Sequence, residues 1–227
     1  LIIHQIIPAI ASGCVVIVKP AEDTPLSCIK IVEMLLESGL PKNRCFFCMP
    51  ENLELAERLV SDKRIDFFSF IGSAKIGWML RSKLSPGTRC ALEHGGMAPT
   101  FLTESTNLDV ASKLLVKGGF YHAGQVCVSV QRVFVHKKIF NDFLNKFEKN
   151  LKPQKIGNPL DKKTEIGPLI RPSEVNRVEN WVNESISSGT TVLCGGNKIS
   201  KTCYDKTVLI NPKFSDKVSR MEIFGPV

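Results

Sequence analysis

The sequence predicts an α/β fold in which parallel strands alternate with crossover helices. Short apolar runs of strand length are separated by segments whose apolar residues recur at helical spacing. This alternation is typical of a Rossmann-like, parallel-sheet, dinucleotide-binding domain, of which the first part of the chain resembles the carboxyl-terminal half. The alternation stops at Gly95-Gly96 and then restarts, so we expect a domain boundary near residue 95 and a second α/β domain after it.

The elements of the first domain follow from local patterns. The run CVVIVK at 14–19 has the composition of a buried strand. Helix-start chemistry at Thr24-Pro25 precedes a helix at 26–38, which Gly39 ends. The remaining predicted elements are strands at 44–49, 65–70 and 88–92, a helix at 52–61, and a helix running from Gly72-Ser73 to about Leu84.

The second domain repeats the alternation less regularly. A strand near 99–102 is followed by a helix at 108–118 that begins after Asn107. A loop containing Cys127 then leads to a strand at 130–135. The remaining predicted elements are helices at 139–151 and 173–188 and short strands near 191–194 and 206–210.

Composition excludes several classes of protein. The 227 residues are 43% hydrophobic and 23% charged, which is ordinary for a globular protein. The net charge of +8 comes from scattered lysines and arginines without a nucleic-acid-binding motif, so we predict no nucleic-acid partner. The apolar opening is interrupted by Pro8 and Gly13, which argues against a membrane span. We interpret the sequence as a piece of a longer protein, because it begins inside an apolar run without Met and ends without a tail.

The eight cysteines lie mostly in apolar runs and are predicted to be free thiols, which favours a reducing, cytoplasmic location. Cys45 and Cys48 have C-x-x-C spacing, but no second pair follows, so we predict no metal site.

Two motifs of the first domain are candidates for a nucleotide site. In VKPAEDTP, Lys19 and Glu22 follow a strand end, where a carboxylate can accept hydrogen bonds from ribose hydroxyls and repel a 2′-phosphate. In FIGSAKIG, Gly72 permits close approach to the backbone and Ser73 opens a helix whose N–H groups can hold phosphates. A surface ion pair and an ordinary strand-to-helix turn are the alternatives.

Two further motifs are candidates for chemistry. In LEHGGMAP, Glu93 ends a strand and can act as a general base; the alternative is a solvated loop glutamate. In FYHAGQVC, small residues precede Cys127, which we place at a loop-to-helix junction where backbone amides favour the thiolate; the alternative is a buried structural thiol.

In EIFGPV, Glu222 can hold a second ribose and Phe224 can press against a flat ring.

Taken together, these motifs resemble those of the aldehyde dehydrogenase superfamily, in the family's order and over essentially all residues. Glu93 and Cys127 are 34 positions apart, the spacing expected in that family. The resemblance implies that residues 1–95 are part of an NAD-binding domain and that residues 96–227 are the cysteine-bearing catalytic domain, incomplete at its carboxyl terminus. It also implies that the longer protein is a homodimer or homotetramer.

The resemblance assigns a role to each motif. Cys127 is implied to be the nucleophile that attacks an aldehyde, and Glu93 to activate the water that releases a carboxylic acid. The adenosine and pyrophosphate of NAD, preferred over NADP because of Glu22, are implied to be held by a group of five residues: Lys19, Glu22, Gly72, Ser73 and Ile76. Glu222 and Phe224 are implied to place the nicotinamide ribose and ring.

Some positions depart from the family pattern. His94 stands where a small or apolar residue is usual and could alter the ionisation of Glu93. Arg132 is expected to form a structural salt bridge, with contact to a substrate carboxylate as the alternative. The alternatives for the whole chain are a catalytically inert fragment and a non-catalytic structural member of the same fold. The latter should lack Cys127 or Glu93, and both are present.

Overall fold

The computed structural model describes residues Leu1–Val227 and divides into two compact units, Leu1–His94 and Gly95–Val227. Both units combine helices with short strands that pair two by two, and three of the four pairs are parallel. The predicted α/β class is confirmed.

The first unit contains four helices and two parallel strand pairs. Its elements are α1 (Ile2–Ala11), β1 (Val16–Val18), α2 (Leu26–Glu37), β2 (Cys45–Phe47), α3 (Leu53–Val60), β3 (Phe67–Gly72), α4 (Ala74–Arg81) and β4 (Arg89–His94). Strand β1 pairs with β2, and β3 pairs with β4. A small core is formed by four buried residues of α1, α2 and β2: Ile6, Cys28, Val32 and Cys45.

Helix α1 of this unit was not predicted, and strand β1 differs from expectation. The interrupted apolar opening forms helix α1 with Pro8 inside it, although proline disfavours a helix interior. The amphipathic face of α1, which buries Ile6, compensates for that cost. Strand β1 is not fully buried: Val16 and Val18 pack against the core, whereas Ile17 is 45% exposed because side chains alternate between the two faces of a strand.

The second unit has one larger core. Its elements are β5 (Thr100–Leu102), α5 (Leu108–Phe120), β6 (Val133–Val135), α6 (Phe140–Leu151), α7 (Pro172–Ser187), β7 (Thr191–Cys194), β8 (Val208–Ile210) and α8 (Lys217–Arg220), with single 3₁₀ turns at Tyr121–Gly124 and Lys137–Ile139. Asn107 caps α5 by accepting hydrogen bonds from the N–H groups of Asp109 and Val110, as the sequence predicted.

The core of this unit is formed by α5, α6 and α7, whose buried side chains include Phe120, Phe143, Phe147 and Val178. The pair β7–β8 is antiparallel, so the parallel arrangement predicted from the alternation does not extend to the end of the chain. None of the helices in either unit has the length and apolarity to cross a lipid bilayer.

Candidate active site

The loop that carries Cys127 begins with an unusual backbone. After α5 ends, His122, Ala123 and Gly124 have φ angles of +50°, +56° and +72°, three successive residues in the left-handed region. The chain then forms a turn, closed by a hydrogen bond of 2.9 Å from the Ser129 N–H to the Val126 carbonyl. Cys127 lies in this turn as an exposed free thiol.

The position of Cys127 corrects two sequence-based readings. It is not at a loop-to-helix junction, because residues 125–132 contain no helix, so that predicted placement is wrong. It is also not a buried structural thiol, since its side chain is open to solvent. The backbone N–H of Cys127 donates no hydrogen bond within the chain and remains available to an external acceptor.

The side-chain amide of Gln125 anchors the loop on its amino-terminal side. Its Nε2 donates to the carbonyls of His122 (3.1 Å) and Pro168 (3.0 Å), and its Oε1 accepts from the N–H of Ile170 (2.8 Å). The segment after α5 is thereby fixed to the 168–170 stretch, and Ala123 within that segment is buried in the core of the second unit.

The carboxyl-terminal EIFGPV segment packs directly beside this loop. A Cβ added to Gly124 would collide with the carbonyl of Gly225, so only glycine allows the two backbones to approach so closely. A small cavity is formed there, with Gly96, Gly124 and Val126 on one side and Glu222 and Phe224 on the other. An added Cβ on Gly96 would also lie 3.2 Å from the Cys127 carbonyl oxygen, so this wall touches the cysteine turn.

Glu222 and Phe224 are therefore brought close to the cysteine loop by the fold. Burial raises the pKa of the Glu222 carboxyl, and the nearby positive charge of Arg177 partly offsets this. Arg177 also donates to the carbonyl of Ile223 at 2.7 Å. Phe224 is 40% exposed and has a φ of +47°, so its ring is presented at the surface by a strained residue.

Lys19 and Glu22 follow β1 and form an ion pair of 2.7 Å between Nζ and a carboxylate oxygen. The Glu22 side chain is 75% exposed and that of Lys19 is 31% exposed. Lys19 also donates to the Pro20 carbonyl at 2.6 Å, which fixes the turn that begins after the strand. Both side chains therefore stand at the carboxyl end of a parallel strand, where ligands bind in such sheets.

The second nucleotide motif forms a strand-to-helix turn, as predicted. Gly72 ends β3, and Ser73 caps α4 by accepting a hydrogen bond from the Ile76 N–H at 3.4 Å. A Cβ added to Gly72 would lie 2.6 Å from the tip of the Phe70 ring, so that ring would have to shift to admit a side chain there. Gly77 allows close packing of α4 on the sheet, since an added Cβ would lie 2.7 Å from the His94 ring.

Parallel pairing of β3 with β4 brings the glutamate motif next to the FIGS motif. Ile71 is aligned with Glu93, and Gly72 with His94. Glu93 is exposed, whereas His94 lies on the opposite face of the strand, 5.2 Å from the Trp78 ring centroid, with its Nε2 buried and without a partner. His94 therefore faces α4 rather than the side of the strand on which the Glu93 carboxylate lies.

Sequence reasoning also missed or misjudged several residues of the second unit. Arg132 forms no ion pair, so the expected salt bridge is wrong; its Nη1 donates instead to the Ser219 carbonyl at 3.2 Å. Gln125, Gln131 and Arg177 fix the segments around the cavity, but no local sequence pattern marks a long-range hydrogen bond. All eight cysteines are free thiols, and no group of three or more His, Cys, Asp or Glu side chains is arranged to hold a metal ion.

Comparisons with known proteins place these observations in context. A sequence model described as the aldehyde dehydrogenase family matches residues 1–227. A 3-sulfolactaldehyde dehydrogenase of Priestia aryabhattai is 38% identical over 226 residues, which are 100% of this chain and 47% of that protein. The chain thus spans about half the length of the curated relatives it matches.

Solved structures agree with this match. Aldehyde dehydrogenase 21 of Physcomitrella patens, in complex with the reaction product succinate, has a TM-score of 0.95 and 34% identity over 100% of this chain and 47% of its own. The glyceraldehyde-3-phosphate dehydrogenase GapN of Methanocaldococcus jannaschii, complexed with NADP, has a TM-score of 0.91 and 32% identity over 99% of this chain and 49% of its own.

Proposed function

The chain belongs to the aldehyde dehydrogenase family, and we propose that it carries the nucleophile and part of the cofactor site of an enzyme that oxidises an aldehyde to a carboxylic acid with NAD. The family membership predicted from the motifs is confirmed. The observation that carries the proposed chemistry is the exposed thiol of Cys127, in a turn whose backbone N–H has no partner and whose loop packs against the Glu222–Phe224 segment.

In the proposed mechanism, the Cys127 thiolate attacks the aldehyde carbonyl. A carbon–sulfur bond forms, the carbonyl π electrons move to oxygen, and the product is a thiohemiacetal. The unpaired N–H of Cys127 is suited to stabilise the negative oxygen of this intermediate. NAD, when bound, supplies a hydride acceptor.

Cys127 then carries the acyl group as a thioester. Glu93, exposed near the end of β4, removes a proton from the water that hydrolyses this thioester to a free acid. A glutamate at this position favours hydrolysis over transfer of the acyl group to another thiol.

We propose roles in NAD binding for residues of each unit, taken separately. In the first unit, Gly72 and Ser73 immediately precede α4, and Ile76 lies in its first turn with its N–H capped by Ser73; the positive end of the helix there suits a pyrophosphate. Lys19 and Glu22 are proposed to hold the adenosine ribose, with Glu22 favouring NAD over NADP. A solved relative is complexed with NADP, so this preference needs its own test.

In the second unit, Glu222 and Phe224 are proposed to hold the nicotinamide ribose and ring. The cavity beside Gly124 and the surface exposure of Phe224 support this assignment. Residues 1–95 are accordingly proposed to be part of the NAD-binding domain, and residues 96–227 the catalytic domain. The cytoplasmic location and the homodimeric or homotetrameric state of the longer protein stay predictions.

The alternative is a catalytically inert chain or a non-catalytic structural member of the fold. Retention of both Cys127 and Glu93, with the thiol open to solvent, favours the enzyme.

The test is substitution of the nucleophile in the full-length protein. We expect Cys127→Ser to lower kcat by about a thousandfold or more, because the serine hydroxyl is a far weaker nucleophile at neutral pH than the thiol. The protein is mixed with NAD and, in separate assays, with propanal, lactaldehyde or succinic semialdehyde. Turnover is measured as the absorbance of the reduced cofactor. Cys14→Ser removes another exposed free thiol and serves as the matched control. Unchanged turnover in Cys127→Ser would remove the proposed nucleophile.

A further inference from the structure

The side chain of Gln131 binds the backbone of a segment about 90 residues away in sequence. Its Nε2 donates to the carbonyls of Val218 (2.9 Å) and Met221 (2.8 Å). Its Oε1 accepts a hydrogen bond from the N–H of Ile223 (2.9 Å). Both amide protons and the amide oxygen are therefore used, and all three bonds go to one short stretch of chain.

These bonds fix the backbone on both sides of Glu222. The Met221 carbonyl belongs to the peptide group that precedes Glu222, and the Ile223 N–H belongs to the peptide group that follows it. Because φ and ψ of a residue are set by its two flanking peptide planes, one side chain determines the backbone conformation of Glu222. Arg177 and Arg132 each hold a single carbonyl of this segment, those of Ile223 and Ser219.

Gln131 is itself held firmly relative to the cysteine turn. It lies four residues after Cys127. The preceding residue, Val130, donates its N–H to the Gly118 carbonyl at 3.0 Å, and the carbonyl of the following residue, Arg132, accepts from the Thr100 N–H at 2.8 Å. The backbone on both sides of Gln131 is thus tied to the unit that carries Cys127.

We propose that Gln131 is a positioning residue that fixes Glu222 beside the cysteine loop, so that the carboxylate is presented in one orientation to the nicotinamide ribose. This inference rests on the proposed function, which gives Glu222 that ligand. Positioning of this kind matters because a displacement of about 1 Å at a reacting centre costs on the order of a hundredfold in rate.

Two substitutions that keep the approximate shape of the Gln131 side chain separate the contributions of its amide N–H groups and its amide oxygen. Gln131→Met removes all three hydrogen bonds. Gln131→Glu keeps an acceptor for the Ile223 N–H but turns a carboxylate oxygen towards the carbonyls of Val218 and Met221, where no donor remains. If Gln131→Met does not fold, Gln131→Glu still tests the proposal.

The experiment uses the full-length protein with NAD and the aldehyde on which the wild type is most active. We expect both variants to raise the KM for NAD, and the Kd for NAD measured by calorimetry without aldehyde, by roughly tenfold or more. Alkylation of Cys127 by iodoacetamide without cofactor should stay within about twofold of wild type, because the cysteine turn is closed by Val126 and Ser129 and held by Gln125. A general loss of structure would change the alkylation rate as well.

Asn150→Leu is the matched control. The Asn150 amide is also half-buried in the second unit and donates to the Ser112 hydroxyl at 2.9 Å, between α5 and α6. Its loss should lower thermal stability while leaving the Kd for NAD unchanged. Amide hydrogen exchange of residues 218–224 should rise in the Gln131 variants and not in Asn150→Leu.

The outcomes separate this proposal from the proposed function. If the wild type is active and Glu222→Ala weakens NAD binding, but the Gln131 variants bind NAD normally, then the positioning role is wrong. If Glu222→Ala leaves NAD binding unchanged in an active enzyme, the inference also fails, because its target has no ligand role. If the wild type itself neither binds NAD nor oxidises any aldehyde, the proposed function fails, and the positioning role fails with it.

Discussion

Glu22 illustrates why an exposed ion pair is compatible with ligand binding. Its carboxylate is three-quarters exposed and 2.7 Å from the Lys19 ammonium. A pair in that environment contributes about 1 kcal/mol or less, since water screens it and two long side chains must be ordered. Replacement of the Lys19–Glu22 ion pair by hydrogen bonds from a ribose to Glu22 therefore costs little free energy.

We expect Glu22→Ser to raise the use of NADP relative to NAD by about tenfold, because removal of the carboxylate removes its repulsion of a 2′-phosphate. The measurement is the ratio of kcat/KM for the two cofactors in the full-length protein. Glu33→Ser is the matched control, since Glu33 is another exposed glutamate of the first unit that pairs with a lysine three positions away. A cofactor ratio that does not move would refute the ribose assignment.

At the scale of elements, the second unit depends on close contact between the cysteine loop and the carboxyl-terminal segment. The contact is possible because Gly124 and Gly225 both lack a side chain: an added Cβ on Gly225 would lie 2.7 Å from Val178. The Thr207 N–H further holds this segment through the Pro226 carbonyl at 2.8 Å. The carboxyl-terminal segment thus lies against Val178 of α7, Thr207 just before β8, and Gly124 at the end of the 3₁₀ turn.

Substitution of Gly124 should disrupt this contact. We expect Gly124→Ala to destabilise the protein by about 1 to 3 kcal/mol through its positive φ alone, and by more because the new methyl group collides with the Gly225 carbonyl. Gly189→Ala is the control, since Gly189 has a φ of +103° but no atom within 4 Å of an added Cβ. Denaturant unfolding compares the two variants. Equal losses of stability would show that the backbone contact is unimportant.

For the whole molecule, the length of the chain relative to its relatives limits the activity that we expect of it. It covers 47% of a 3-sulfolactaldehyde dehydrogenase, and several large apolar side chains are well exposed, including Leu1, Val15, Phe67 and Phe101. Apolar surface of this kind on a folded chain favours association. We therefore expect the proposed activity of a protein of the relatives' length and not of these 227 residues alone.

We expect the 227-residue chain, purified on its own, to show no aldehyde-dependent reduction of NAD, because its relatives are about twice as long and the proposed cofactor site draws on only part of that length. The assay is the absorbance of the reduced cofactor under the conditions that support turnover by the full-length protein, which is the positive control. Turnover by the isolated chain above the Cys127→Ser background would contradict this expectation.

Much of the fold was predictable because its signals are local. Helix α5 was predicted from apolar spacing and its Asn107 cap, and α2 from its periodicity and Gly39. The predictions were wrong where contacts with residues far away in the sequence determine the bounds of an element. Strand β6 begins at Val133 rather than near 130, since the Ser129 hydroxyl, the Val130 N–H and the Gln131 amide bind other segments. Helix α1 had no prediction, since its stability comes from packing that outweighs the cost of Pro8.

The sequence by itself determined the α/β class, the order of most elements, the family and the candidate residues, since periodicity, caps and motif spacing are properties of neighbouring residues. Only the tertiary structure decided that Cys127 lies exposed in a turn, that His94 faces away from the side of Glu93, and that Gln131 holds the backbone around Glu222. These features depend on hydrogen bonds and close backbone contacts between segments far apart in the chain, and such contacts leave no periodic pattern in the sequence.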